Sequence, residues 1–299
     1  RQMCIRDRFI PPYFNAIPAK LRSLDNYDGI DDPELLIGGG TDLYVQKHEC
    51  LVDKSVDLVA NMSWLKGIKI ENKKCIIGAG VTVSEIMESE IMKEVFPNLS
   101  LYMKLVSSSP IRNISTIAGN FVNASPIGDL TAFFIALNAQ IELVGDKGSR
   151  VIFLKDFYLG YKDLDKKEDE IIERIIFDLP NQFTKFNFEK VSTRTHLDIA
   201  SVNSACSIEV VDVQIKSIHL SAGGIGPIPT FLAKTCNFLT NKILNVETIK
   251  NGVEIMQNEI SPISDVRGTE AYKRLLLRQL YFAHFITLFP EQFNLKTLV

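Results

Sequence analysis

Short blocks of apolar residues alternate with polar and glycine-rich loops through the first half of the chain. Blocks bounded by turn-forming or charged residues predict β-strands at 35–37, 56–60, 75–77, 140–144 and 175–179. Apolar residues at helical spacing predict helices at 86–91, 99–106 and 130–137, with a further short helix at 19–24. Thr82 or Ser84 is placed to cap the first of the three.

The pattern changes after a charged segment at 162–173, which we interpret as a solvated loop and the start of a helix. Beyond it, the sequence predicts antiparallel strands at 185–192, 201–211 and 217–222. Three helices are then predicted at 231–239, 246–258 and 270–288. A run of strands followed by a run of helices is typical of an α+β unit that is separate from the first part.

The composition is that of an ordinary globular protein, with 299 residues, 46% hydrophobic residues and a net charge of −3. This length predicts one large or two to three smaller cores, and the charge argues against nucleic acid or an anionic membrane as the main partner. No run of about 18 or more apolar residues occurs, so we expect no membrane span. The five scattered cysteines argue against disulfides or an iron–sulfur cluster in this chain and favour a reducing, cytoplasmic compartment.

A glycine-rich loop, LIGGGTDL at 36–43, follows the first predicted strand. Glycines tolerate positive φ and leave room for a ligand, so successive backbone N–H groups can converge on an anion. A helix beginning at Thr41 would add its positive end. A tight strand-to-helix turn without a ligand explains the loop equally well. The absence of Gly-Lys-Ser/Thr and Gly-x-Gly-x-x-Gly argues against a nucleoside-triphosphate P-loop and a nicotinamide-type fold.

A second polar loop, TIAGNFVNASPIGD at 116–129, then becomes an apolar helix. Ser125 as an N-cap and Asp129 as a first-turn acid are ordinary structural roles. Those roles do not explain why the same loop also holds Thr116, Gly119, Asn120 and Asn123. Two such loops, about eighty residues apart, predict one extended, phosphate-bearing ligand that is held at two points.

Five segments resemble one known family and occur in the family's order, at 36–43, 77–83, 111–129, 190–200 and 261–272. The chain resembles the FAD-binding subunit or domain of the molybdenum hydroxylases, of the xanthine dehydrogenase and carbon-monoxide dehydrogenase medium-subunit type. The resemblance implies an α+β fold with a two-subdomain PCMH-type FAD-binding domain at 21–182, divided into about 21–62 and 63–182. A C-terminal α+β domain of the CO dehydrogenase flavoprotein type, an antiparallel sheet plus helices, would follow at 185–290.

Residues 1–20 are interpreted as an N-terminal tail or linker that is either an artefact or the truncated end of a longer polypeptide. The chain begins with Arg1 rather than methionine. In some members of the resembled family an iron–sulfur domain precedes the FAD domain on one polypeptide. Our hypothesis is therefore that the chain is the C-terminal part of a xanthine dehydrogenase small subunit.

The resemblance also implies the residues that contact FAD. In chain order they are Leu36, Ile37, Gly38, Gly39, Gly40, Thr41, Asp42, Leu43, Val106, Ser107, Thr116, Gly119, Asn120, Asp129 and Lys190. The first loop would hold the pyrophosphate, the second would line the rest of the dinucleotide, and the segment 106–107 would approach the isoalloxazine ring. Lys190 would stabilise negative charge on the reduced flavin; without the resemblance, it reads equally well as a strand lysine with its ammonium in water. No catalytic and no metal-binding residue is predicted.

Two pairs of charged residues fit the same family and are interpreted as structural. Arg194 and Asp198 are expected to form an ion pair within the C-terminal domain. Asp265 and Arg267 are expected to act as a cap and an ion pair that open the last long helix.

The function implied by the resemblance is that of an FAD-binding electron-transfer component. It would take electrons from [2Fe-2S] clusters and pass them from reduced FAD to NAD⁺ or another acceptor. Its partners would be an iron–sulfur domain or subunit and the subunit that carries the molybdopterin cofactor. The substrate hydroxylated by such a complex would bind on another subunit.

Three alternatives stay open at this point. One is a stand-alone flavin reductase of the enolpyruvyl-UDP-N-acetylglucosamine reductase type, whose glycine loop is similar although the rest of the chain does not follow that family. Another is a non-catalytic flavin-binding module. The third is a soluble α+β protein that binds no ligand at all.

Overall fold

The computed structural model describes residues 11–22, 34–59 and 62–298, without side-chain detail for residues 21 and 22. The strands are β1 (Leu35–Ile37), β2 (Val56–Leu58), β3 (Ile68–Glu71), β4 (Lys74–Gly78), β5 (Gln140–Gly145), β6 (Gly148–Phe153), β7 (Tyr158–Gly160), β8 (Asp163–Leu164), β9 (Ile171–Asp178), β10 (Thr184–Val191), β11 (Val202–Val211), β12 (Gln214–Gly223) and β13 (Thr230–Phe231). The α-helices are Ile17–Arg22, Leu43–Gln46, Val83–Glu88, Glu90–Val95, Leu99–Lys104, Ser109–Arg112, Ile117–Val122, Asp129–Ala136, Ala233–Leu239, Val246–Glu259, Glu270–Leu288 and Leu295–Leu298. Short 3-10 helices lie at Pro12–Asn15, His48–Leu51, Ser63–Leu65 and Leu154–Asp156.

The first half of the chain is built on a five-stranded antiparallel sheet in the order β3-β4-β9-β5-β6. A small parallel pair, β1 with β2, lies before it in the chain, and the glycine loop leaves this pair at the end of β1. Ile37, the last residue of β1, is buried, so the loop starts from a fixed point. The loop continues into the helix Leu43–Gln46, two residues later than the predicted start at Thr41.

The helix Asp129–Ala136 lies in the middle of the molecule. All of its residues from 130 to 136 are buried, as expected for a helix that is apolar on every side. Its Phe133 ring lies 5.4 Å from the ring of Phe96 and 4.6 Å from that of Phe186, on β10. The helix also packs against β11 and β12. It therefore joins the core of the first half to the sheet of the second half.

The second half of the chain is a four-stranded antiparallel sheet in the order β10-β11-β12-β13. Neighbouring strand residues point to opposite faces: Ala205 belongs to the core that contains Asp129–Ala136, whereas Cys206 belongs to a second core. The helices that follow, from 233 onward, contribute the rest of that second core. The architecture is α+β, as predicted, and none of the helices among the described residues is long and apolar enough to cross a bilayer.

The predicted helix start within 162–173 is wrong. This segment forms β8, a loop and the start of β9. Arg150, on β6, donates to Glu170 Oε1 at 2.7 Å and to Asp165 Oδ2 at 3.0 Å, which pins the charged segment to the sheet edge. The Arg150 guanidinium lowers the pKa of Glu170 to about 2.

Two capping predictions are also wrong, while others are confirmed. Gly128, not Ser125, occupies the N-cap of Asp129–Ala136, and the Ser125 hydroxyl instead accepts from the backbone of Ile127. Thr269 caps the last long helix, and Asp265 pairs with the buried Lys273 at 2.8 Å. The confirmed features are the cap at Thr82, with a full capping box, and the Arg194–Asp198 ion pair at 3.5 Å. The tail predicted at 1–20, the helix near 19–24 and the strand end at residue 60 lie partly outside the described residues.

Candidate functional site

The glycine loop lies directly against the second polar loop. A Cβ on Gly38 would overlap the Thr116 hydroxyl, and a Cβ on Gly39 would overlap the backbone carbonyl of Ile114. These two glycines are therefore required because two backbones approach closely. Positive φ is required only at Gly40, where φ is +65°. The structure thus brings Gly38 together with Thr116 and Gly119, and Gly39 together with Ile114 and Ser115.

The backbone N–H groups of this loop differ from those of the helix beside it. Those of Gly39, Gly40, Thr41 and Asp42 have no acceptor among the described residues. By contrast, Ile117 N–H donates to the carbonyl of Val81 at 2.9 Å, and Gly119 N–H donates to Thr116 Oγ1 at 3.1 Å. Free donors that an anion needs are therefore present on the glycine loop, whereas these two amides of the second loop are already bonded.

Asn120 and Asn123, two further polar residues of the second loop, are hydrogen-bonded to other parts of the first half of the chain. Asn120 Oδ1 accepts from Thr131 Oγ1 at 3.4 Å, in the first turn of the helix that Asp129 begins. Asn123 accepts from the ammonium of Lys162, both at its carbonyl oxygen and, at 2.9 Å, at Oδ1. Asn120 thereby connects the Thr116–Gly119 part of the site to the Asp129 part.

A buried polar cluster lies at the start of the helix Asp129–Ala136. Lys190 Nζ donates to Asp129 Oδ2 at 2.6 Å and to the carbonyl of Leu105 at 2.8 Å. Asn203 Nδ2 donates to Asp129 Oδ1 at 2.7 Å. The Lys190 side chain is 2% exposed and that of Asp129 is 12% exposed. Lys190 is therefore not the strand lysine with its ammonium in water that the pattern alone allowed.

The electrostatics of Asp129 combine opposing influences. Burial raises the pKa of its carboxyl group, while the Lys190 ammonium and the Asn203 amide lower it. Asp129 is also the first residue of its helix, where the macrodipole favours negative charge. The result is a carboxylate with two fixed partners and a small exposed surface.

The turn at Val106 and Ser107 is held from two sides. Ser107 has a φ of +49°, and Arg112 donates to the carbonyls of Val106 and Ser107 at 2.8 and 2.7 Å. The preceding carbonyl, of Leu105, accepts from Lys190. The predicted ring-contact segment and Lys190 therefore meet in space. Among the described residues no group of three or more histidine, cysteine or acidic side chains is arranged to hold a metal ion.

Sequence reasoning missed two residues of this site. Arg112 lies inside the segment 111–129 that carried the resemblance, so the sequence placed it near the predicted site. Its contact with the 106–107 turn could not be predicted from the sequence. Asn203 is a fully buried amide whose neighbours on the strand, at 202 and 204–208, are small or apolar, and that contrast was a usable signal.

Comparison with known protein families gives two matches that together cover most of the chain. Residues 18–181 match the family described as "FAD binding domain in molybdopterin dehydrogenase", and residues 187–288 match "CO dehydrogenase flavoprotein C-terminal domain". Because the first match spans more than half of the chain, the chain belongs to the family of FAD-binding domains of molybdopterin dehydrogenases.

Individual relatives agree with this assignment. The glyceraldehyde dehydrogenase medium chain of Sulfolobus acidocaldarius is 26% identical, over 90% of this chain and 96% of its own. The nicotinate dehydrogenase FAD-subunit of Eubacterium barkeri is 26% identical, over 87% of this chain and 90% of its own. The xanthine dehydrogenase of Blastobotrys adeninivorans is 28% identical over 86% of this chain, which spans only 20% of that longer protein.

Solved structures share the fold at lower identity. Carbon monoxide dehydrogenase from Hydrogenophaga pseudoflava gives a TM-score of 0.77 at 23% identity, over 82% of this chain and 86% of that one. Quinoline 2-oxidoreductase from Pseudomonas putida 86 gives 0.76 at 20% identity, over 85% and 88%. These likenesses support the predicted α+β flavoprotein fold.

Proposed function

We propose that this chain is the FAD-binding electron-transfer component of a molybdenum hydroxylase complex. The observation that carries the proposal is the glycine loop, where four consecutive N–H groups without acceptors among the described residues lie beside the 116–120 segment. Such a row of N–H groups fits a pyrophosphate. A simple turn between a strand and a helix would not explain why the 116–120 segment connects this loop to the buried cluster around Asp129.

The proposed contacts run from the glycine loop, through the 116–120 segment, to Asp129 and the 106–107 turn. The segment Leu36 to Leu43 would hold the pyrophosphate through its backbone, Ile37 serving as the buried anchor. Thr116, Gly119 and Asn120 would bind the middle of the dinucleotide with a hydroxyl, a close backbone approach and an amide. Asp129 would accept a hydrogen bond from a ligand hydroxyl. Val106, Ser107 and Lys190 would border the ring.

When bound, FAD would supply a redox centre that connects one-electron carriers to a two-electron acceptor. The contribution of the chain is electrostatic and geometric. The buried Lys190 ammonium places a positive charge in a medium of low dielectric, where it favours added negative charge nearby. Arg112 fixes the Val106–Ser107 turn against which a planar ring can lie.

The partners and the acceptor are part of the same proposal. An iron–sulfur domain or subunit would deliver electrons, a subunit with the molybdopterin cofactor would carry the substrate site, and NAD⁺ or another small molecule would accept the electrons. The names of the relatives, which include a medium chain and an FAD-subunit, support a heteromeric complex. The cysteines in the part of the chain that the structure describes are free, and three of these four are buried, which supports a cytoplasmic location. We also retain the domain limits 21–182 and 185–290 as a proposal.

The stand-alone reductase alternative is not favoured, because both domain matches belong to the molybdenum enzymes. The test is titration of the purified chain with FAD, followed by the quenching of flavin fluorescence. We expect one FAD per chain, and much weaker binding of riboflavin, which lacks the pyrophosphate. A chain that bound riboflavin as tightly as FAD, or neither, would refute the proposal. Reduction of the bound flavin by NADH would then test NAD⁺ as the acceptor.

A further inference from the structure

Asn203 is a fully buried amide at the junction of the two halves of the molecule. It lies on β11, where its backbone pairs with Lys190 on β10 and with Gly223 on β12. Its Nδ2 donates to Asp129 Oδ1 at 2.7 Å and to the carbonyl of Ile127 at 3.0 Å. Two strands of the C-terminal sheet therefore reach one carboxylate of the FAD-binding half, Lys190 from β10 and Asn203 from β11.

The orientation of this amide is determined by its partners. Both groups in front of Nδ2 are acceptors, so the nitrogen must face them. Asn203 Oδ1 then has no hydrogen-bond partner among the described residues and lies over Gly223, where a Cβ would overlap it. A buried acceptor without a partner is costly. The other end of the same amide is bonded to Asp129.

We propose that Asn203 is a positioning residue of the flavin site, and that it holds the Asp129 carboxylate ionised and aimed toward the ligand while Lys190 holds its other oxygen. This inference rests on the proposed function, because it assumes that Asp129 contacts the flavin nucleotide. It adds a role for the C-terminal sheet: both side chains that hydrogen-bond to the Asp129 carboxylate come from this sheet, Lys190 from β10 and Asn203 from β11.

Asn203 can orient Asp129 because each carboxylate oxygen has its own hydrogen-bond partner. Lys190 alone would leave Oδ1 free to rotate, because a single ion pair restrains only one end of a carboxylate. The amide supplies the second restraint and a donor that stabilises the charged form. Gly223 completes the arrangement by leaving space for the amide oxygen.

The test compares Asn203→Leu with Ser204→Ala in the full chain, using FAD as the titrant from pH 5 to pH 8. Ser204 is the next residue on β11 and is equally buried, but its hydroxyl contacts the carbonyl of Ser221 and the ring of His284 instead of Asp129. It therefore controls for the loss of a buried hydrogen bond in the same strand. Asn203→Ala, which also removes the donor, replaces Asn203→Leu if that variant does not fold, and Asn203→Ser is a further variant that keeps a small hydroxyl donor.

We expect Asn203→Leu to raise the Kd for FAD at pH 7 by about tenfold. We also expect the pH at which FAD affinity falls to move upward by about one unit, the scale of one hydrogen bond to a carboxylate. Ser204→Ala should change neither. In an Asp129→Asn background, Asn203→Leu should have little further effect, because its target is absent.

Equal Kd values and pH profiles for Asn203→Leu and Ser204→Ala would overturn the inference and leave the proposed function intact. An equal loss of affinity in both variants would also overturn it, since that loss would reflect general destabilisation of β11. Failure of the unmodified chain to bind FAD would overturn the proposed function, and this inference with it. Partial recovery in Asn203→Ser would support the inference, because the restored property is a hydrogen-bond donor.

Discussion

Removal of the Lys190 ammonium should destabilise the protein as a broken buried ion pair does. The change to test is Lys190→Met, which keeps most of the side-chain length and its apolar contacts. The two charged groups are 2.6 Å apart, with the lysine side chain 2% and the aspartate side chain 12% exposed. At such burial the relevant reference is the loss of one partner of a buried pair, about 3–5 kcal/mol. An exposed pair would contribute only about 0–1 kcal/mol.

A double-mutant cycle separates the contributions to this loss of stability. In Lys190→Met, Asp129 remains buried with only Asn203 as a side-chain partner, so most of the cost is an uncompensated charge. Asp129→Asn in the same chain removes that charge, and we expect it to restore about 2 kcal/mol or more of the free energy of unfolding. The assay is equilibrium unfolding in urea, monitored by circular dichroism, for the unmodified chain, both single variants and the double variant.

The dependence on pH gives an independent check of the same reasoning. Burial already raises the pKa of Asp129 above 3.8, and without Lys190 it should lie higher still. The folded variant would then bind the proton more tightly than the unfolded chain, so stability is lost as pH rises from about 4. The deficit of Lys190→Met should therefore be small in acid and grow toward neutral pH. A deficit below about 1 kcal/mol that is independent of pH and of Asp129→Asn would refute the argument.

Two further predictions follow from buried groups and close backbones. Burial lowers the pKa of His284 from 6.5 to about 3. Stability should therefore be lost as pH falls below 6.5, by at most about 1.4 kcal/mol per pH unit. Urea unfolding of His284→Leu should lack this dependence on pH. Gly39→Ala would overlap the Ile114 carbonyl, and we expect a loss of about 1–3 kcal/mol together with weaker FAD binding. Gly160→Ala, whose nearest new contact would be at 3.7 Å, is the control and should change neither thermal unfolding nor FAD titration.

Local sequence patterns predicted the features that depend on neighbours in the chain. The strand before the glycine loop, the cap at Thr82 and the helix from 270 to 288 are set by residues within a few positions of each other. The glycine loop as an anion site stays a prediction. Its glycines were attributed to positive φ and phosphate approach, and the structure shows that Gly38 and Gly39 also make room for residues 114–116.

Features that depend on distant residues could not be predicted in this way. The segment 162–173 has helix-forming charges, but Arg150 on another strand draws Asp165 and Glu170 into a loop. Lys190 reads as an exposed strand residue until the helix that begins at Asp129 is placed beside it. The contact between Asn203 and Asp129 spans 74 positions, and no periodicity in either segment signals it.

The central position of the helix Asp129–Ala136 has a consequence for how the protein unfolds. Its side chains pack with the five-stranded sheet, and its other side meets the C-terminal sheet, where Phe188 on β10 and Ala205 on β11 belong to the same core. We therefore expect the two halves to unfold as one cooperative unit. Amide protons of β5 and β11 should exchange with solvent at nearly the same rate under mildly denaturing conditions. A fragment ended near residue 182 would leave the most apolar helix of the chain uncovered, and such a fragment should aggregate on expression instead of folding as an independent module.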